Sequence, residues 1–392
     1  MATVLSDDEF RAKLEAHFAL YRLNLRFPLV THITPEYWYR VDLLMVNELG
    51  LFRRADIEPN GVVRIACELL ETTTPVRPDS NWTVEWREVQ DKQSTNAQVA
   101  GFQASGRGAF EYRVRSTTAD AKEGGPRYLR IYVDWTDQFP HDPQSILPLV
   151  VGPICIQPCK KPDHSPTNSP VADWPENTPM VYDGYRLFSK IMIHEAWDAG
   201  IPGKIWDSAL VMLGFVKRLA EARGQDLKGR KVLDLSAGTG LLGLSLADIS
   251  NVVITELDEA LGLIDQNVTF NGYDGTVQTK SLLWGDAKQA AECGKADVIL
   301  ASDVLYEAEF FEDLVKTFVD LSTSQTKIYI GYKRRGFEPE EERRFWSLCQ
   351  VHFDIILLNQ CSAEDEPDVA LIPSLAASAG VKIYRLTKRK DQ

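Results

Sequence analysis

In the stretch KVLDLSAGTGLLGLSLA, Lys231 to Ala247, a carboxylate, Asp234, precedes a glycine run in which Gly238, Gly240 and Gly243 satisfy G-x-G-x-x-G. Such a run turns a strand into a helix and offers backbone N–H groups and the positive helix end to a ligand. Two ligand chemistries compete for it. A dinucleotide brings a pyrophosphate, which a carboxylate in D-x-S-x-G-x-G would repel, whereas a ligand carrying an ammonium and a sulfonium would be attracted. S-adenosylmethionine carries both. Glu256, ending the run VVITE, can accept from both hydroxyls of a ribose in either kind of site. VQTKSLLW leads into Gly285 and Asp286, where Trp284 offers stacking area to an adenine and Asp286, or the backbone before it, can accept from the exocyclic amine. ILASDVLY sets Asp303 and Tyr306 in a D-x-x-Y pair, a carboxylate to orient an incoming amine and a phenol to line its channel. Each group also has a structural reading: Glu256 as a solvated acid, Trp284 as a core ring, Asp303 as a helix cap with Tyr306 in the core.

Such residues meet only if the carboxyl ends of several strands are brought together. From about Tyr182 the chain alternates strand-length apolar runs with helical patterns, the mark of a doubly wound parallel sheet. KVLDL, VVITE, VQTKSLLW, ADVILAS, KIYIGY, FDIILL and VKIYRL make seven strand candidates, interleaved with helices such as GLLGLSLADI, EALGLIDQNVTF and FFEDLVKTFVDL. A helix after Trp206-Asp207-Ser208 carries Leu210, Leu213, Phe215, Val216 and Leu219 on its apolar face and closes near Gly224. In open sheets of this class ligands sit beyond the carboxyl ends at the switch point, where Asp234, Glu256 and Asp303 fall.

The segment Cys159 to Pro179 packs prolines among Ser, Thr, Asn and Asp, the composition of a linker. It predicts a division into 1–158, a linker over 159–181, and 182–392. In the first part Asp7 to Leu23 and Pro35 to Leu51 carry apolar residues at helical spacing, with Thr34 as an N-cap and Gly50 near a C-terminus. The alternating runs VVRIACELL, WTVEWREV, FEYRVRS and RYLRIYVDW follow as half-buried strands, so this part reads as α+β. It shows no catalytic constellation.

The 392 residues, 44% hydrophobic and 25% charged, have the composition of a soluble globular protein too long for one ordinary core. A net charge of -13 argues against direct nucleic-acid binding and makes basic protein partners electrostatically easier. No apolar run approaches the roughly 18 residues of a membrane span, and MATVLSDDEFRAKLEAHF carries acids where a signal peptide needs bases. These features predict a cytosolic or nuclear protein that does not engage a membrane. Cys67, Cys155, Cys159, Cys293, Cys349 and Cys361 are scattered; Cys155 and Cys159 with His164 are too few for a zinc site, so free thiols and no metal are expected.

IWDSA, VLDLSAGTGLLGL, the acid ending VVITE, the paired asparagines of QNVTFNG, LLWGD, ASDVLY and YIGYKRR, in this order, resemble the family of seven-strand protein-lysine methyltransferases that modify elongation factors, chaperones and ribosomal proteins. The resemblance covers roughly Tyr182 to Thr387, about half the chain. It implies an α/β fold: a seven-stranded Rossmann-like S-adenosylmethionine-dependent methyltransferase domain, preceded here by the smaller α+β domain. It implies a protein substrate, such as an elongation factor or another translation component, and a monomer. Carried over by position, Trp206 would flank the cofactor, while Asp234, Ser236, Gly238 and Gly240 would hold its methionine end. Glu256 would take the ribose, Trp284 and Asp286 the adenine, and Ser302 would complete the cofactor set. Asp303 and Tyr306 would stand beside the methyl group and the target nitrogen, and Tyr332 would border the substrate channel. Ser236-Ala237 departs from the family's usual Gly and Cys or Ala; the turn absorbs this if its backbone there is not left-handed.

The expected reaction is an in-line displacement by a neutral lysine nitrogen. A lysine pKa of about 10.4 means that an apolar, aromatic-walled channel must favour the free base. A nicotinamide oxidoreductase would explain the glycines and Glu256, but not Asp234 or the D-x-x-Y pair. A binding module without turnover, and arginine, histidine or small-molecule acceptors, remain open, because fold does not fix the acceptor.

Overall fold

The computed structural model describes residues 18–53, 64–71, 77–89, 106–117, 125–134, 146–157, 178–181 and 184–390. The chain divides into two compact units, one of them Leu20–Glu195 and the other containing Ala196 onward.

Two large antiparallel-rich sheets and a two-stranded one, Met180–Val181 with Leu29–Val30, build the described part of the first unit. One orders Ile146–Leu147, Tyr21–Leu25, Tyr39–Val46, Arg107–Ser116 and Trp82–Glu88; the other orders Ile191–Glu195, Gly184–Phe188, Leu149–Ile156, Arg127–Asp134, Arg64–Glu71 and Arg77–Pro78. The alternating runs expected as strands are strands. The helix expected over Pro35 to Leu51 is not there: Tyr39–Val46 is a strand paired with Tyr21–Leu25 and Arg107–Ser116. Tyr39, Val41, Leu43 and Met45 enter the core at period two, while Arg40 bonds Asp42 two residues along at 2.8 Å. The other expected helix begins outside the described residues, and its end, Tyr21 to Leu23, is strand. No helix occurs among the described residues of this unit.

The boundary also differs from the sequence reading. Met180–Val181, placed in the linker, pairs with Leu29–Val30. Gly184–Phe188 and Ile191–Glu195, assigned to the second part, complete a sheet of the first. A buried ion pair fixes them there: Arg186 Nε bonds Glu195 Oε2 at 2.6 Å, and its Nη1 donates to the Leu23 carbonyl at 2.8 Å. Cys159, and the greater part of the predicted linker with it, lies outside the described residues.

In the second unit all seven strand candidates are strands: β1 Lys231–Leu235, β2 Asn251–Glu256, β3 Gln278–Ser281, β4 Val298–Ser302, β5 Lys327–Lys333, β6 Phe353–Leu357 and β7 Val381–Lys388. Their order is β3-β2-β1-β4-β5-β7-β6, with β7 antiparallel to both neighbours and the pairings among β1 to β5 parallel. The order reverses at β1, where one connection leads to β2 and the chain later returns to β4 on the other side. The crevice at that switch point is where the carboxyl ends can hold a ligand. Helices α1 Asp207–Leu227, α2 Leu241–Ser245, α3 Asp258–Phe270, α4 Ala287–Cys293, α5 Phe311–Leu321 and α6 Pro339–His352 cover the sheet. β5 shows the layering by alternation. Tyr329 meets Phe215 of α1, whereas Ile328, Ile330 and Tyr332 join the core of Phe311, Phe318 and Phe345 from α5 and α6. α6 starts with Pro339 and a Glu338–Glu341 capping box; Glu340, Arg343 and Arg344 lie on its exposed side, where Arg343 pairs with Glu340, while Phe345 turns into the core.

Candidate active site

The chain leaves β1 through a tight turn in which Ser236, Gly238 and Gly240 have φ of 55°, 57° and 81°. Left-handed backbone is cheap for the glycines and costs a serine about 1–2 kcal/mol. The condition under which the turn would absorb Ser236 is therefore not met. Trp284 Nε1 donates to Ser236 Oγ at 2.9 Å, a bond that offsets part of this strain and fixes the indole. Gly243 has another reason to be glycine: a Cβ there would lie 2.7 Å from Ile254 Cγ1 of β2. It lets α2 pack on the sheet rather than binding anything.

Asp234 is 2% exposed, and its Oδ2 accepts from the Gly243 N–H at 2.7 Å. Burial pushes its carboxyl up to about 7; the Gly243 bond opposes the shift and the nearby Glu256 carboxylate adds to it. Glu256 is also raised, chiefly by burial, against backbone bonds from Leu257 and Gly238. Two acids share one crevice with little to neutralise them. That arrangement is unfavourable empty and favourable around a cation.

Trp284 lies 5.9 Å from the Tyr306 ring and 6.5 Å from Phe310, measured between ring centroids. Asp286 is elsewhere. Its Oδ1 caps α4, accepting from the Lys288 and Gln289 N–H groups at 2.8 and 3.0 Å, and it does not line the cavity. The expectation that it reads an adenine amine is corrected: a carboxylate at an N-cap satisfies helix donors that would otherwise go unpaired. Leu282 and Leu283 line that side instead.

Asp303 follows β4 with φ of 61° and donates its backbone N–H to the Gly331 carbonyl at 2.9 Å. Its carboxylate is held by Arg335, whose Nε lies 3.1 Å from each oxygen and whose Nη2 also pairs with Oδ2. Tyr306 is 41% exposed at the mouth, its phenol raised by partial burial and by the charges of Glu256 and Glu307. Trp206 stands at the N-terminus of α1 with Nε1 donating to the Ile201 carbonyl at 3.0 Å; the guanidinium carbon of Arg335 is 4.5 Å from its ring centre and Lys204 Nζ is 5.7 Å away. Below it, Asp207 Oδ2 and Lys333 Nζ form a buried pair at 2.8 Å that ties α1 to β5.

Tyr332 is corrected as well. It is 1% exposed, packs against Trp346 and does not line the cavity. The neighbouring positions, Gly331 and Lys333, belong to the opposite sheet face, and beyond the strand end Arg335 pairs with Asp303, which lines the cavity.

A cavity of about 300 Å³ gathers Trp206, Asp234, Ser236, Gly238, Glu256, Trp284, Ser302, Asp303 and Tyr306. The other predicted residue, Gly240, shapes the turn without lining it: its own backbone N–H closes onto the Ala237 carbonyl at 3.0 Å. Sequence reasoning missed Lys204 and Arg335; the basic run after KIYIGY was the available signal for the second. Buried acids at a left-handed turn, an indole wall and a carboxylate–phenol pair opposite fit an adenosyl ligand bearing a cationic amino-acid end. Among the described residues no helix is long and apolar enough to cross a membrane.

A model of the lysine methyltransferase family matches residues 188–352. Protein N-lysine methyltransferase METTL21A of Danio rerio is 33% identical over 174 residues, a match spanning 42% of this chain and 78% of the relative. EEF1A lysine methyltransferase 3 of Xenopus tropicalis is 31% identical over 149 residues, 37% of this chain and 64% of that protein. Protein-lysine N-methyltransferase EFM6 of Saccharomyces cerevisiae is 24% identical over 209 residues, 47% of this chain and 84% of that protein.

Proposed function

This chain belongs to the lysine methyltransferase family, an S-adenosylmethionine-dependent protein-lysine N-methyltransferase, and we propose the residues that do its work and the protein it works on. The observation that carries the residue assignment is the convergence of Asp234, Glu256, Asp303 and Tyr306 on one crevice at the sheet's switch point. S-adenosylmethionine supplies an electrophilic methyl group when bound. In this reading Asp234 and the turn through Ser236 and Gly238 hold the ammonium end, Glu256 the ribose hydroxyls, and Leu257, Leu283 and Trp284 the adenine face. Trp206 and Ser302 border the same crevice. Asp303 orients the target nitrogen by accepting one of its N–H groups, and Tyr306 walls the channel, so that much of the acceleration is positioning and exclusion of water.

Elongation factor 1A is the proposed acceptor. The support is twofold: relatives that carry its name, and a net charge of -13 that suits a basic partner. The five described cysteines are free thiols, which suits action in a reducing compartment, and we place the enzyme in the cytosol as a monomer.

Transfer of tritiated methyl to unmethylated elongation factor 1A tests the acceptor. Calorimetry tests the cofactor site, with S-adenosylhomocysteine binding and NAD failing to bind. Asp303→Ala at wild-type rate would remove Asp303 from the target nitrogen; label in another lysate protein but none in elongation factor 1A would redirect the substrate.

A further inference from the structure

Arg335 has no part in the assignments above, yet its side chain is held at two points beside the crevice. Its guanidinium is held on one side by both oxygens of Asp303, Nε lying 3.1 Å from each, and on the other by the face of Trp206 at 4.5 Å. Both partners line the cavity. The two charged side chains are 19% and 6% exposed, so the pair is shielded from screening by solvent. Asp303 is fixed from behind as well, by its left-handed backbone and its N–H bond to Gly331.

A bare carboxylate at this position would work against the reaction. An opposite charge within about 4–6 Å favours the charged form of an amine by roughly 1–3 pKa units. A lysine beside an unpaired Asp303 would be kept as an ammonium, without the lone pair that attacks. Pairing changes the environment: the amine meets a neutral ion pair rather than a bare charge, and a carboxylate oxygen has more than one lone pair with which to accept an N–H bond.

Resting on the proposed placement of Asp303 beside the target nitrogen, we infer that Arg335 is a positioning residue of methyl transfer, which neutralises and aims Asp303 so that the acceptor lysine is taken up as the free base. One proton leaves the ammonium for solvent before attack. The nitrogen lone pair then forms the N–C bond, the C–S electron pair goes to sulfur as the thioether product, and a second proton leaves the methylated nitrogen unless it stays as an ammonium.

Other charges face the crevice from each surrounding element. Asp234 and Glu256 come from β1 and β2, Tyr306 and Asp313 from the segment after β4 and from α5, and Lys204 from the segment before α1. Lys204 Nζ sits 4.8 Å over Trp197 and 5.7 Å over Trp206. Beyond β5, Arg334 is turned to the Phe337 carbonyl and to Glu342 at 3.3 Å, and Lys333 is buried against Asp207. None of these forks onto Asp303 in the way Arg335 does.

The test is the pH dependence of tritiated methyl incorporation into hypomethylated lysate protein, measured as initial rates from pH 6.5 to 10. Arg335→Gln leaves Asp303 bare, and the rising acidic limb moves up by about one pH unit or more, a roughly tenfold loss at pH 7 that closes toward pH 10. Arg335→Lys keeps a cation and shifts the limb less. Asp303→Asn combined with Arg335→Gln removes both charges and returns the limb to its wild-type position, although the rate is lower. The folded fraction, read at each pH from the melting transition, is divided out, so a loss of folded enzyme cannot move the limb. If Asp303→Asn is slow but Arg335→Gln is slowed by one factor at every pH, the inference is overturned and the placement of Asp303 stands; wild-type rates from Asp303→Asn would overturn both.

Discussion

Asp234→Asn separates what this carboxylate does for binding from what it costs the fold. The group ionises near 3.8 in an unfolded chain and at about 7 in the folded one, chiefly through burial. Between those values the folded state holds a proton that the unfolded state has released, so stability falls as pH rises, by about 1.4 kcal/mol per unit. Above pH 7 the full penalty is present, the difference of about 3 units amounting to a ceiling of about 4 kcal/mol. Asparagine keeps an acceptor for the Gly243 N–H, 2.7 Å away, and carries no charge. The variant should therefore melt near the wild-type temperature only at or below about pH 3.8, already somewhat higher at pH 5 and several degrees higher at pH 8, in the transition that S-adenosylhomocysteine raises. Binding should move the other way. Loss of a buried partner for an ammonium costs about 3 kcal/mol or more, so S-adenosylhomocysteine affinity at pH 8 should fall at least 100-fold. For wild type, affinity should climb as pH rises from 5.5 to 7, because the ligand needs Asp234 ionised. Differential scanning fluorimetry and calorimetry across pH read both effects. A variant that melts lower than wild type at pH 8, or binds the ligand with unchanged affinity, would refute the reasoning.

Gly243→Ala drives a methyl to 2.7 Å from Ile254 Cγ1 and should destabilise the second unit by about 1–3 kcal/mol in urea titration, since overpacking against a strand has no easy escape. Lys333→Met leaves Asp207 buried without its 2.8 Å partner and should cost about 3–5 kcal/mol, whereas replacing both by apolar residues should recover most of it. Ser236→Gly relieves about 1–2 kcal/mol of left-handed strain but gives up the Trp284 bond, worth about 0.5–1.5 kcal/mol. Its melting temperature should hardly move, while S-adenosylhomocysteine affinity falls a few-fold because the indole is no longer fixed; unchanged affinity would argue that Trp284 is held by its aromatic neighbours alone.

The second unit was legible because its central strands are buried on both faces and the acids proposed to hold the ligand stand at strand ends, where neighbouring sequence fixes their position. Asp234, Glu256 and Asp303 each follow an apolar run, and once the runs are parallel strands the three acids must meet at one edge. The first unit was less legible. Tyr39, Val41, Leu43 and Met45 are apolar in a run where Leu44 and Val46 are too, so period two and period 3.6 both find matches; pairing with a distant strand, Arg107–Ser116, decided the outcome. Asp286 was misread because the residue after a strand-end tryptophan can serve a ligand or a helix, and the start of α4 claims it before any ligand does.

Tyr332 and Arg335 show where such reading runs out. Successive residues of a strand face opposite ways, so an error of one position moves a side chain from one layer to the other. In β5 the layers are already set: Tyr329, Gly331 and Lys333 face α1, where Tyr329 meets Phe215, a Cβ on Gly331 would strike Met212, and Lys333 meets Asp207. Tyr332 must then face α6 and the aromatic core, whatever a motif suggests. Past the strand end this parity lapses, and chemistry decides where the next side chains go. Arg335 finds the one carboxylate that left-handed backbone has turned toward it and the ring of Trp206 behind. A cation placed so cannot bind the target lysine, but it can settle in which protonation state the lysine arrives.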